Sequence, residues 1–133
     1  MSEALPLAGI RVLDISTFIA APAAAVVLGD YGADVIKVEQ PGEGDPNRTT
    51  ITIASYPKSL VNYPWLMDSR NKRSIALDLK HEAGRAAPIR LGCAPPRPAG
   101  AAPALGEHTD EVLREAGLGT VEIAQLRRSG AAA

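Results

Sequence analysis

The sequence predicts an α/β domain: a small parallel sheet of about three strands with one βαβ unit, followed by two C-terminal helices. Three observations predict it. Two short apolar runs, Ile10 to Ile15 and Val35 to Val38, flank a small-residue helical stretch, and about thirty residues from strand to strand is the usual size of a crossover unit. A third run, Ser74 to Leu79, alternates polar and apolar positions. Two late segments, opened by Thr109 and Thr120, carry acidic residues early, apolar residues at helical spacing, and a closing glycine.

Taken in order, Met1 to Leu7 is a short leader and Gly9 marks entry to the first strand. Ile10, Val12, Leu13 and Ile15 carry little polar interruption, the pattern of a strand covered on both faces. Ser16 to Ala21 form a turn. Pro22 suits a first helical turn, where its missing N–H costs nothing, and Ala23 to Leu28 favour helix, with Gly29 and Gly32 closing it. Val35, Ile36 and Val38 form the next strand, which ends in Glu39. The stretch QPGEGDPNR opens a long loop, because its prolines, glycines and Asp45 are turn residues. Tyr63, Pro64, Trp65, Leu66 and Met67 form an apolar knot near the end of that loop. Arg70, Asn71, Lys72, Arg73 and Ser74 then make a basic turn leading into the third strand, Ile75 to Leu79.

A short helix starts near His81 and runs through Glu82, Ala83 and Arg85, ended by Pro88. The mixture of alanine, proline and glycine that follows has no periodicity and reads as a linker. The chain therefore divides into a βαβ part at 1–85, a linker at 86–103 and a helical segment at 104–133.

Composition narrows the function. A net charge of −1 gives no electrostatic case for general nucleic-acid or membrane-surface binding. Apolar residues make up 46% but aromatics only 4%, so the core is built from small side chains. Cys93 is the only cysteine, which rules out an internal disulfide and fits a reducing compartment. The start has no secretory pattern, and the longest apolar stretch, Phe18 to Gly29, is too short to span a bilayer. A cytoplasmic location is expected.

The crevice at the carboxyl ends of parallel strands is where such units bind ligands, often with a helix N-terminus nearby. Ser16, Thr17, Phe18 and Ile19 would line it. The G-x-G-x-x-G fingerprint is absent, which argues against NAD or FAD. Glu39 reads either as a ribose contact or as an exposed strand-end carboxylate. The cations at 70–73 read either as a phosphate cradle or as a solvated turn. His81 and His108 lie far apart with no partner at ligand spacing, so no metal is expected. Asp14 and Asp34 read as structural, and no catalytic residue is named.

Three pieces together resemble the family III CoA-transferases, the group that includes formyl-CoA transferase and the α-methylacyl-CoA racemases. They are LAGIRVLDISTFIAAPAAAVVLGDYGADVIKVEQPGEGDPNR, SRNKRSIALDLKHEAGR and ALGEHTDEVLREAGLGTVEIAQLRRSG. The first is similar to the family's opening segment, the second to its basic turn and third strand, the third to its C-terminus. The resemblance implies a remnant of a large Rossmann-like domain, coenzyme A or acyl-CoA as ligand, and a place in acyl-CoA metabolism. It implies that Ser16, Thr17, Phe18 and Ile19 line the CoA site and that Asn71, Lys72 and Arg73 lie near the CoA nucleotide. Full-length members carry a catalytic aspartate in a long middle portion with no counterpart here, so the chain is expected to be an internally deleted member, inactive alone. Formyl-CoA transferase has glutamine at the position of Ile19 and arginine at that of Gln40, so its substrate preference does not transfer. Other readings are a residual CoA-binding module, a fragment that dimerises or pairs with an intact relative, a racemase-like remnant, and a chain that does not fold stably.

Overall fold

The computed structural model describes residues 5–86 and 100–133. The core of the expected linker therefore lies outside the described residues. Three parallel strands form one sheet in the order β1 (Arg11–Asp14), β2 (Asp34–Glu39), β3 (Lys72–Ala76). Helix α1 (Ala20–Asp30) connects β1 to β2. Register runs Arg11 opposite Asp34 and Val35 opposite Lys72.

Successive residues of β2 face opposite sides of the sheet. Val35 packs with Ala25 of α1 and with Val12 on one side. Ile36 and Val38 join Ile75 and Leu77 on the other, under α4 (Thr109–Glu115) and α5 (Thr120–Arg128), which supply Val112, Leu113, Ile123 and Leu126. The C-terminal helices thus complete the larger core. All six residues of β2 are buried, as a central parallel strand requires.

The outer strands depart from expectation in different ways. β1 lies at the edge of the sheet, so Ile10 and Ile15 stay about half exposed rather than covered on both faces. β3 starts two residues before Ser74, which places Lys72 and Arg73 inside the sheet and buried, not in a solvated basic turn. Its outer edge is covered by the C-terminal segment. Leu77 bridges Ala132 antiparallel, Ala133 N donates to Ala76 O, and His108 N donates to Ser74 O.

Thr109 follows the cap position instead of filling it, and its hydroxyl has another use. Its Oγ1 accepts from Ala76 N at 3.0 Å and donates to Ala133 O at 2.8 Å, fully buried. Thr109→Val keeps the shape but leaves both backbone groups unsatisfied, so a loss of about 1–3 kcal/mol is expected. Urea unfolding measures it, with faster amide exchange at Ala76 as the local sign.

The apolar knot is a second correction. Tyr63–Ser69 is a helix, α2, capped by Asn62, whose Oδ1 accepts from Trp65 N at 3.1 Å. Asn62 followed by Pro64 at the second helical position was the signal for it. A 3-10 helix, Pro46–Thr52, precedes it, and Arg48 stacks on the Trp65 ring, 3.9 Å from its centroid. Gly29 lies within α1 rather than closing it. Gly32 makes the turn, with φ +99 and Leu5 so near that a Cβ would lie 2.6 Å from it. Helix α3 (Glu82–Ala86) follows the sheet where one was expected.

Candidate functional site

The carboxyl ends of β1 and β2 open onto a crevice of about 660 Å3, bordered by Ser16, Thr17, Glu39, Asp45, Asp78 and Lys80. Ser16 and Thr17 line it; Phe18 and Ile19 continue the turn, and their side chains are about half exposed.

Beneath this turn is a buried layer of charge. Asp14 ends β1 and accepts from both the backbone N and the hydroxyl of Ser16. Its other oxygen accepts from Lys72 Nζ at 2.8 Å. Lys37 extends from the centre of β2, wholly buried, and its ammonium donates to Ser16 O at 3.0 Å and pairs with Asp45 at 2.7 Å. Asp45 Oδ1 accepts from Phe18 N and Asn47 N, and Asn47 Nδ2 donates to Phe18 O. The sequence expectation missed Lys37, Asp45 and Asn47. A lysine between valine and isoleucine in a central strand was the available signal, because a buried cation needs buried partners.

Glu39 is not an exposed carboxylate, and both of its oxygens already have partners within the chain. It is buried and accepts from Arg48 through both oxygens at 2.7 and 2.8 Å, from Ser74 Oγ at 2.7 Å and from Asp45 N at 3.0 Å.

Asn71, Lys72 and Arg73 stand at the amino end of β3, the opposite end of the sheet from Ser16 to Ile19, and border a separate cavity of about 520 Å3. Lys72 spends its three ammonium donors on Asp14, Pro22 O and Asp68 O. Arg73 grips Asp34 and Glu115, and Arg11 also donates to Asp34 at 2.9 Å. The two expected groups therefore do not share one cavity, although Asp14 joins Lys72 to Ser16. Asn71 remains half-buried, linked to Asp30 and to Gly100. His108 sits at the cap of α4 and accepts from Ser74 N.

Burial alone raises the carboxyls of Asp14, Asp34 and Glu39. In each case the hydrogen bonds and charges of Lys72, Arg73 or Arg48 outweigh it and hold the group below the usual range. A depressed folded value means stability complete above the unfolded value, about 4, and lost as pH falls through the folded one. The urea midpoint is expected to be level from pH 7 to pH 5.5 and lower at pH 3, where these carboxyls take up protons in the unfolded chain but resist them in the folded one.

Among the described residues no three histidine, cysteine, aspartate or glutamate side chains are placed to hold a metal ion. No helix there is long and apolar enough to cross a membrane.

Residues 7–91 match the model of CoA-transferase family III. The chain is 52% identical over 80 residues to the succinyl-CoA–L-malate CoA-transferase beta subunit of Chloroflexus aurantiacus, a match covering 60% of this chain and 19% of that one. The alpha subunit from the same organism is 42% identical over 89 residues, covering 67% of this chain and 20% of its own length. A solved structure, Rv3272 from Mycobacterium tuberculosis, superposes with a TM-score of 0.54 at 38% identity over 67% of this chain and 23% of that chain. The chain thus spans about a fifth of the length of the curated relatives it matches.

Proposed function

Because this chain belongs to CoA-transferase family III, we propose that it binds CoA or an acyl-CoA at the Ser16 to Ile19 turn and by itself transfers no CoA. The observation that carries the reading is the crevice at the carboxyl ends of β1 and β2, the place where parallel α/β sheets take ligands, with a family-matched turn on its rim. Ser16 and Thr17 offer small hydroxyl side chains beside the start of α1, suited to a pantetheine arm.

What supports inactivity is the state of the buried carboxylates around the crevice. Transfer of CoA from an acyl-CoA to a free acid through an acyl-enzyme anhydride needs a carboxylate free to attack the thioester. Asp14, Glu39 and Asp45, the buried carboxylates around the crevice, are each committed to a lysine or arginine. The match covers about a fifth of the length of the curated relatives. In this reading Lys72 and Arg73 support the sheet beneath the site, and of the 71–73 segment only the half-buried Asn71 keeps surface for a nucleotide.

The test is calorimetry with CoA beside a transfer assay with succinyl-CoA and free dicarboxylic acids. Binding without transfer is expected. Turnover would remove the inactivity claim, and silent calorimetry at millimolar CoA would remove the binding claim.

A second reading adds a partner: a second copy of this chain or an intact relative, within the cytoplasm. It is favoured by the apolar surface at Tyr56, Leu60, Tyr63 and Met67, which the described chain leaves exposed. Sedimentation of the purified chain, alone and mixed with an intact relative, decides it; a monomer in both experiments rejects it.

A further inference from the structure

Among the described residues, two other than glycine hold left-handed backbone: Asn71, at φ +60, and Phe18, at φ +63. Asparagine tolerates that region, whereas a bulky side chain does so only against a steric penalty. Core packing does not compensate at Phe18, because its side chain is 46% exposed. Something else fixes its backbone.

Two buried side chains do so, from 27 and 29 positions further along the chain. Asp45 Oδ1 accepts from Phe18 N at 3.1 Å, and Asn47 Nδ2 donates to Phe18 O at 3.2 Å. Asp45 is 2% exposed and Asn47 wholly buried. Each is held in turn. Lys37 pairs with Asp45, Asn47 N donates to Asp45 Oδ1 at 2.8 Å, and Asn62 Nδ2 and Thr50 Oγ1 both donate to Asn47 O. The clamp is therefore more firmly built than the turn it grips, and both polar groups of the Phe18 backbone are taken by it. A strained residue persists where its surroundings over-determine it, and such residues gather at ligand clamps.

We infer that Asp45 and Asn47 are positioning residues: they hold Phe18 left-handed and so fix Ser16 and Thr17 in their ligand-ready shape before CoA arrives. The inference rests on the crevice being the CoA site, but the backbone state of Phe18 is readable without any ligand. It assigns the GDPN segment a task at the turn rather than direct contact with CoA.

The test uses the full chain with Phe18→Gly, Phe18→Val, Asn47→Ala, and Asn47→Ala combined with Phe18→Gly. CoA is titrated by calorimetry, and the backbone carbon shifts of Phe18 are read by NMR. Asn47→Ala is expected to move the Phe18 shifts away from left-handed values and to weaken CoA about tenfold, the equivalent of about 1.4 kcal/mol. Adding Phe18→Gly should restore the affinity, since glycine takes positive φ at no steric cost. A general structural defect would not be restored in this way. Should Asn47→Ala not fold, the exposed position 18 carries the test alone: Phe18→Val weakens CoA while Phe18→Gly retains it. Unchanged Phe18 shifts in Asn47→Ala, a loss that glycine does not restore, or equal affinities for the valine and glycine variants would overturn the inference. A wild-type chain that ignores CoA while Asn47→Ala still releases Phe18 would refute the ligand reading and leave the clamp standing.

Discussion

Lys37→Met is expected to cost about 3–5 kcal/mol of folding stability, the range for breaking a buried ion pair by removing one partner. The substitution fits the space, so the loss measures charge and not volume. Methionine leaves Asp45 buried with no cation at 2.7 Å, removes the donor to Ser16 O, and leaves Lys72 alone to neutralise Asp14. Domains of this size have about 5–15 kcal/mol in total, so the variant should unfold at a much lower urea concentration. Replacing both Lys37 and Asp45 with apolar residues of similar volume should recover part of the loss, because the isolated charge, not the missing pair, is the larger cost. A single-variant loss below about 1 kcal/mol, the level of an exposed pair, would mean that water reaches this layer.

Leu113→Ala is expected to cost about 2–5 kcal/mol, the range for truncating a buried leucine. Leu113 is wholly buried and packs within the cluster formed by Ile36, Val38, Ile75 and Leu77 of the sheet with Val112, Ile123 and Leu126 of α4 and α5. The size of the effect reports whether residues 104–133 belong to the folded unit. A full-sized loss, with one cooperative transition for both the sheet and the helices, shows that they do. A change below about 0.5 kcal/mol, typical of surface substitutions, would place α4 off the sheet.

The fold was legible where pattern and packing agree. Val35, Ile36 and Val38 were expected as a strand ending in Glu39 and form one, and the threonine and charge signals placed the last two helices within a residue of their observed starts, although Thr109 and Thr120 each follow the cap, His108 or Gly119, instead of filling it. Legibility failed where polar residues are inside. Alternation of apolar residues begins at Ser74, so Lys72 and Arg73 looked like a turn, yet their burial depends on Asp14, Asp34 and Glu115, which are distant in sequence. No local pattern announces such pairs. The same holds for the candidate site. Ser16 and Thr17 were expected at the crevice because a turn after a parallel strand has a known use, and they border it. Lys37, Asp45 and Asn47 were not expected, because only the folded chain brings them under that turn. Trp65 was hidden for a simpler reason: Pro57 and Pro64 made residues 49–67 read as loop, and the capping role of Asn62 was overlooked.

The most direct test of the central claim, a preformed CoA-binding turn on a folded but non-catalytic chain, is an amide correlation NMR spectrum recorded with and without CoA. Dispersed peaks are expected before any ligand is added. On titration, shifts should concentrate at Ser16 to Ile19 and their supports Asp45 and Asn47, while α4 and α5 stay unmoved. A dispersed spectrum indifferent to millimolar CoA, or one whose shifts cluster only at Asn71 to Arg73, would contradict the claim and place the ligand elsewhere on the chain.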